Sequence, residues 1–158
     1  MNISHSEKAF ELFNSGYNCS QAVFGAFADD LGVDTETAMK LASSFGGGMG
    51  RMREVCGAVS GMFMAAGVLF GYSDPEDRTA KTEHYKRIQE LAAEFRKENG
   101  SIICRELLGL NVKTDSYIPE ERTEQYYKKR PCGELVRMAA QILDNYINKN
   151  NNGDETHE

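Results

Sequence analysis

The sequence predicts an all-α, single-domain helical bundle of about six to seven helices. No segment shows the sustained apolar–polar alternation of a half-buried strand. Apolar residues recur instead at helical spacing between capping residues and glycines. A length of 158 residues is typical of one domain with one hydrophobic core. We therefore assign residues 1–148 to one helical domain and residues 149–158 to a polar tail that frays.

Capping residues at the helix starts and glycines at the helix ends predict the first three helices. The first follows a serine cap and ends at Gly16. The second begins after Asn18 and ends at Gly32. The third begins after Asp34 and ends in the glycine-rich segment "GGGMGRMREVCG", residues 46–57.

The fourth helix is predicted in an uncharged stretch. Residues 55–72 carry no charged side chain, and a run of this length approaches that of a membrane span. A helix in the middle of a bundle is uncharged for the same physical reason. Because glycines interrupt the run and no other segment resembles it, we expect a buried helix. Gly57, Gly61 and Ala65 recur every four residues, which predicts a smooth face for close packing.

A long charged helix is predicted next, with Asp74 as its cap, Pro75 at its first position and Gly100 after its end. Its apolar stripe consists of Tyr85, Ile88, Leu91, Ala92 and Phe95. We interpret His84, on the same helix, as a surface residue. A short helix then follows a Ser101 cap, the segment "PEERTEQYYKK" forms another turn or two, and the last helix begins after Pro131.

Composition limits the partners and the compartment. The net charge of −6 and the pI of about 5.2 disfavour nucleic acid and anionic membranes, which require a basic face. The first residues lack the pattern of a secretory signal, so we expect a reducing cytoplasm. In that compartment, four cysteines are metal ligands, redox thiols or buried apolar residues more often than structural disulfides.

The four cysteines are the strongest functional signal, because each falls in the first turn of a predicted helix: Cys19, Cys56, Cys104 and Cys132. Unpaired amides and the positive end of the dipole at a helix start stabilise a thiolate over a thiol. Basic residues that could lower the thiol pKa values further are close in sequence to three of the four: Arg51, Arg53, Arg105, Lys128, Lys129 and Arg130.

Several familiar sites are excluded. The sequence has no C-x-x-C pair, and therefore no thioredoxin-type dithiol, zinc knuckle or covalent haem attachment. The glycine-rich segment follows a helix and lacks the Lys-Ser/Thr of a phosphate-binding loop. Its amides can still form an anion-binding concavity for a thiolate or an anionic cluster. The candidate cofactor-binding residues are Gly47, Gly48, Gly50, Arg51 and Gly57.

The chain resembles a bacterial and archaeal family of redox-active proteins named for its four-cysteine pattern. Cys19, the segment "CGAVSG" from Cys56 to Gly61, Cys104 and Cys132 match the order C, C-G-A-x-x-G, C, C. The resemblance implies that these four cysteines are redox-active or ligate a metal. Similar domains stand beside haem-binding segments in some multi-centre cytochromes, which points to electron transfer. Frequent proximity of family genes to transporters points to metal or small-molecule homeostasis.

Four hypotheses remain open. The first is an iron–sulfur cluster held by the four converging cysteines, for electron transfer with a donor or acceptor protein. The second is a metal-free thiol–disulfide oxidoreductase, with Cys56 as the attacking thiolate and three possible pairings. The third is a tetrahedral zinc site. The fourth is a helical interaction module with chemically silent cysteines. The sequence leaves the redox partner, the oligomeric state and the choice between enzyme and electron carrier undetermined.

Overall fold

A computed structural model describes residues 3–154, and over these residues the chain is all-α. It forms eight helices, six of them with seven residues or more. In chain order they are α1 (His5–Asn14), α2 (Cys19–Leu31), α3 (Thr35–Ala42), α4 (Gly57–Phe70), α5 (Arg78–Asn99), α6 (Cys104–Leu107), α7 (Glu124–Lys129) and α8 (Cys132–Asp154). The predicted fold class is confirmed. None of the described helices has the length and apolarity needed to cross a membrane.

The predicted caps of the first three helices are confirmed. The Ser4 hydroxyl accepts from the Glu7 amide before α1. Before α2, the Asn18 side chain accepts from the Gln21 amide, and the Gln21 side chain accepts from the Asn18 amide, which forms a reciprocal capping box. Gly32 ends α2 in the left-handed conformation, with φ of 70°.

Two predicted helix starts are wrong, that of α5 by three residues and that of α6 by two. The helix α5 begins at Arg78 and is capped by Asp77, because the Asp74 carboxylate accepts from the Glu76 amide and closes a separate turn. The helix α6 begins at Cys104 rather than directly after Ser101. Residues 102–104 are instead engaged in an antiparallel bridge between Val55 and Ile103, which delays the helix.

The centre of the bundle is a close contact between α2 and α4. A β-carbon on Gly61 would lie 2.7 Å from the Ser20 carbonyl oxygen of α2, and one on Gly57 would lie 3.2 Å from the Cys19 β-carbon of α2 and 2.8 Å from the carbonyl oxygen of Phe45, which follows α3. These distances are shorter than van der Waals contact, so only glycine permits the observed approach. The predicted packing face on α4 is therefore confirmed.

The other helices complete the hydrophobic core around this contact, which we call the α2–α4 seam. The core's largest fully buried side chains include Phe13, Phe24, Phe27, Met62, Leu91, Phe95, Val136 and Leu143. On α5 the apolar stripe differs from the prediction at one end: His84 is buried and bonded to Arg87 at 3.0 Å, whereas Tyr85 is 52% exposed. His84 lies four residues before Ile88 and seven before Leu91, so it continues the helical stripe that Tyr85 leaves.

The last helix extends further than predicted. The helix α8 continues to Asp154 and so includes the first part of the predicted polar tail. Residues 155–158 of that tail lie outside the described residues. Fraying of the tail stays a prediction.

Candidate functional site

Four helix starts contribute a cysteine each to one cavity. Cys19, Cys104 and Cys132 are the first residues of α2, α6 and α8, and Cys56 is the capping residue of α4. All four line a cavity of about 280 Å³, which we call the thiol cavity. The predicted placement of the cysteines at helix starts is therefore confirmed, and none of the four forms a disulfide.

Main-chain pairing positions Cys56 and Cys104. The Cys56 amide donates to the Ile102 carbonyl at 2.8 Å, and the Cys104 amide donates to the Glu54 carbonyl at 2.6 Å. Successive side chains on an extended segment point to opposite sides. Cys56 and Cys104 therefore share the side that faces the thiol cavity, although they are far apart in sequence.

A left-handed turn, residues 47–51, forms another part of the cavity wall. All five residues have positive φ, from 61° to 69°, and two of them, Met49 and Arg51, are not glycines. Each non-glycine residue in this conformation costs about 1–2 kcal/mol. At Gly48 a β-carbon would lie 2.6 Å from the Cys104 β-carbon and 2.9 Å from the Arg53 α-carbon. The turn therefore brings the main chain directly against Cys104.

The two arginines of the glycine-rich segment do not flank Cys56 as their sequence position predicts. Arg53 is buried and donates to the Cys104 sulfur at 3.6 Å and to the Asp115 carboxylate at 3.0 Å. Arg51 donates to the Ser116 carbonyl at 2.6 Å and pairs with Asp115 at 3.2 Å. Arg53 is thus directed towards Cys104, and both arginines are directed towards Asp115.

Of the other basic residues that are close to the cysteines in sequence, only one lines the thiol cavity. Arg105 pairs with Glu54 at 3.2 Å and donates to the Arg53 carbonyl, so its charge is not directed at Cys104. Lys128 and Lys129 are exposed and do not line the thiol cavity. Arg130 does line it, and it pairs with Glu120 at 2.6 Å.

Burial determines the state of Cys56 and Cys104. Burial raises the pKa of Cys56 to about 12, although hydrogen bonds from the Ala58 and Val59 amides at the start of α4 act in the opposite direction. Burial also raises the pKa of Cys104, against the lowering effect of the Arg53 guanidinium. The expectation that a helix start yields a thiolate is therefore wrong for these two residues, because loss of hydration outweighs the amides.

Cys19 and Cys132 form a different pair, because their side chains interact with each other. This interaction is the largest cause that raises the pKa of Cys19 well above its usual range, and burial adds to it. The same interaction lowers the pKa of Cys132, as do the charges of Arg130, Arg53 and Arg122, against the effect of burial. The most readily ionised thiol is thus Cys132, not Cys56 as predicted.

Two residues of the cavity were not anticipated from the sequence. Arg122 donates to the Phe13 carbonyl at 2.6 Å and the Tyr17 carbonyl at 2.8 Å, and its guanidinium lies 4.3 Å from the Phe13 ring centre. Burial, and then negative charge on Cys132 and Cys19, raise the pKa of Tyr126 to about 12. Both residues lie in a polar segment whose composition is that of a solvated connection, so no local signal reveals them.

The four cysteines share a cavity without forming a metal-binding group. Among the side chains described, those of residues 3–152, no three His, Cys, Asp or Glu are placed to hold one metal ion. The five predicted cofactor-binding residues all line the thiol cavity: Gly47, Gly48, Gly50, Arg51 and Gly57. A role for them in binding stays a prediction, as do the iron–sulfur and zinc sites.

Comparison with known proteins gives one family and one relative. The model of a family described as "Putative redox-active protein (C_GCAxxG_C_C)" matches residues 17–146. That label writes the central motif as GCAxxG, whereas this chain has Cys56 before Gly57. A protein of Archaeoglobus fulgidus named "Uncharacterized protein" is 29% identical over 143 residues, which cover 85% of this chain and 87% of that protein. No solved structure matches the chain.

Proposed function

The chain belongs to this redox-active four-cysteine family, and we propose that it is a dithiol–disulfide redox protein whose working pair is Cys132 and Cys19. The direct contact between these two thiols is the observation that carries the proposal. They begin two different helices, α8 and α2, and both line the thiol cavity. A disulfide between them would join the starts of these two helices.

The proposed reaction begins at Cys132. Its thiolate attacks one sulfur of a disulfide substrate, forms a mixed disulfide and releases the other half of the substrate as a thiolate. Cys19 then loses its proton to that thiolate or to solvent and attacks the Cys132 sulfur. The second half of the substrate leaves as a thiolate and takes a proton from solvent. In sum, the substrate gains two electrons from the two cysteines and two protons, one supplied directly or through solvent by Cys19 and one taken from solvent.

The asymmetry of the pair supports this order of events. The interaction with Cys19, and then the charges of Arg130 and Arg122, favour a negative charge on Cys132, so Cys132 is the thiol of the pair that ionises first. The interaction with Cys132 is the main cause that holds Cys19 in its thiol form. Once Cys132 enters a mixed disulfide, its negative charge is gone. Cys19 then ionises more readily, when the second attack requires it.

A second candidate function is electron transfer through an iron–sulfur cluster held by Cys19, Cys56, Cys104 and Cys132. Four cysteine thiolates are the usual ligand set of such clusters. The donor type is suitable, and all four side chains line the same cavity of about 280 Å³. Within the described residues, however, no three of them are placed to hold one metal ion, so cluster binding would require the thiols to move closer together. When bound, the cluster would supply a one-electron redox centre. The protein's own contribution would be to hold four thiolates and to offset their charge with Arg53 and Arg130.

One experiment on protein purified without oxygen distinguishes the two candidate functions. For the dithiol function, we expect colourless, metal-free protein that loses two thiols per chain when a small neutral disulfide is added. Peptide mapping then identifies a bond between Cys19 and Cys132. Cys104→Ser should retain this bond and Cys132→Ser should lose it.

Other outcomes overturn the dithiol proposal. Brown protein whose visible absorbance and iron content depend on all four cysteines would establish the cluster instead. Colourless protein with stoichiometric zinc would support a zinc site. A thiol count that does not change with the oxidant would contradict dithiol chemistry.

A further inference from the structure

The wall of the thiol cavity concentrates positive charge in an acidic protein. Four guanidinium groups line the cavity, from Arg51, Arg53, Arg122 and Arg130, together with one carboxylate, from Glu120. The chain as a whole has a net charge of −6. The charge that a small molecule meets at the thiols is therefore opposite in sign to the charge of the whole molecule.

The carboxylates close to these arginines neutralise only part of this charge. Asp115 pairs with both Arg51 and Arg53, at 3.2 and 3.0 Å, and Glu120 pairs with Arg130 at 2.6 Å. Two carboxylates thus face four guanidinium groups. A thiolate on Cys132 offsets one further charge, which leaves the cavity positive.

The guanidinium group of Arg122 accounts for the excess positive charge in the cavity. Within residues 3–154 it has no carboxylate at ion-pair distance, and it donates instead to two main-chain carbonyls. Its planar group lies over the Phe13 ring at 4.3 Å and the Tyr126 ring at 5.5 Å, which fixes its orientation. Because carbonyls leave its charge intact, Arg122 can attract an anionic group in the cavity.

We propose that the thiol cavity selects small anionic, carboxylate-bearing substrates for reaction at its cysteines, with Arg122 as the positioning residue for the carboxylate. The inference names the substrate class of the proposed dithiol function and rests on it for the reaction that follows binding. Formation of a mixed disulfide removes the negative charge of Cys132. The cavity then holds the anionic half of the substrate more strongly until Cys19 releases it.

The test compares two alkylating reagents of nearly equal size that share a leaving group, iodoacetate and iodoacetamide. Reduced full-length protein reacts with each, and mass spectrometry gives the rate at the peptide that contains Cys132. Each rate is divided by the rate of the same reagent with 2-mercaptoethanol, which removes their intrinsic difference. We expect the corrected ratio of iodoacetate to iodoacetamide to be about tenfold above one at low salt, and to fall as salt screens the cavity.

Variants assign the preference to Arg122. Arg122→Gln should lower the corrected ratio severalfold, and Arg122→Lys should retain much of it. Any change in Cys132 ionisation alters both rates equally and cancels in the ratio. The matched control is Arg96→Gln, an exposed arginine of α5 that does not line the cavity. It should leave the ratio unchanged.

The outcomes distinguish this inference from the proposed function. A corrected ratio near one that does not depend on salt overturns anion selection, even if a neutral disulfide still produces the Cys19–Cys132 bond. A high ratio that Arg122→Gln leaves unchanged overturns the role of Arg122. A high, salt-dependent ratio without any Cys19–Cys132 bond supports selection by the cavity and overturns the dithiol function.

Discussion

The two cysteine pairs line the same cavity, but they are held in different ways. Main-chain bonds between residues 54–56 and 102–104 position Cys56 and Cys104, and burial keeps both as neutral thiols. Cys19 and Cys132 contact each other through their side chains, beside Arg122 and Arg130. The comparison shows that a helix start alone does not produce a thiolate. At Cys132 the interaction with Cys19, together with the guanidinium charges of Arg130, Arg53 and Arg122, overcomes the loss of hydration.

The largest effect on the free energy of unfolding should come from disturbing the Cys56–Cys104 pair, which main-chain bonds hold in place. Gly48→Ala adds a β-carbon 2.6 Å from the Cys104 β-carbon at a residue with φ of 69°. The strained conformation and the overlap together should lower the free energy of unfolding by about 2–5 kcal/mol. Urea denaturation followed by circular dichroism measures this loss.

Gly109→Ala is the matched control for Gly48→Ala. Gly109 has a similar φ of 65° and nothing within 4 Å of the added carbon. The Gly109→Ala variant should lose only the free energy of unfolding that a left-handed alanine costs, about 1–2 kcal/mol. Equal losses in the two variants would show that the approach of the left-handed turn to Cys104 contributes nothing.

A somewhat smaller effect is expected at the α2–α4 seam, which connects the two pairs by joining the helices of Cys19 and Cys56. Gly61→Ala should cost about 1–3 kcal/mol, because its β-carbon would lie 2.7 Å from the Ser20 carbonyl oxygen. Gly67→Ala, on the same helix with nothing within 4 Å, should gain about 0.5–1 kcal/mol. Thermal unfolding of both variants tests the seam, and a stabilising Gly61→Ala would contradict it.

The neutral state of Cys56 predicts a loss of stability at alkaline pH. The pKa of its thiol is about 12 in the folded chain and 9.0 in the unfolded reference. Between these values the unfolded chain has released the proton and the folded chain retains it. Stability due to this group is therefore complete below the lower pKa and falls by about 1.4 kcal/mol per pH unit above it.

Cys56→Ala tests this dependence directly. It should reduce the slope of unfolding free energy against pH by about 1.4 kcal/mol per unit between the two pKa values, and leave the slope below pH 8 unchanged. Urea denaturation across the pH series provides the slopes. An identical alkaline slope in the variant would mean that Cys56 ionises in the folded protein as easily as in water.

The smallest effect should come from changing the charges around the Cys19–Cys132 pair. Arg130→Gln removes one of the groups that lower the pKa of Cys132, so its alkylation rate by iodoacetamide at pH 7 should fall about three- to tenfold. Cys56 should be unaffected. The adjacent, exposed Lys129→Gln is the matched control and should change neither rate. A comparable loss in both variants would indicate a general charge effect instead of a specific contact.

Local sequence patterns predicted the helices and the placement of the cysteines. A cap such as Asn18 is three residues from the amide that it satisfies, so the signal lies within one short segment. The close face at Gly57 and Gly61 repeats at helical spacing and was visible for the same reason. The starts of α5 and α6 were displaced because Asp77 and the bridge at Ile103 compete with the nearer caps.

The chemistry of the site depends on contacts between distant segments, which local patterns do not contain. Arg53 reaches Cys104 only because the left-handed turn and the bridge bring them together. Arg122 approaches the cavity from a segment that has the composition of a solvated loop. Burial, which decides the pKa of Cys56, is a property of the assembled bundle and is not encoded in its neighbours.

The most direct test of the difference between the two pairs is the pH profile of alkylation at each cysteine. Reduced protein is treated briefly with iodoacetamide across a pH series, and the rate at each of the four peptides is measured by mass spectrometry. We expect Cys132 to react at the lowest pH, with an apparent pKa below that of a free thiol, and Cys19 and Cys56 to react only at clearly higher pH. Equal profiles for the four cysteines, or earlier reaction at Cys56 than at Cys132, would contradict this expectation.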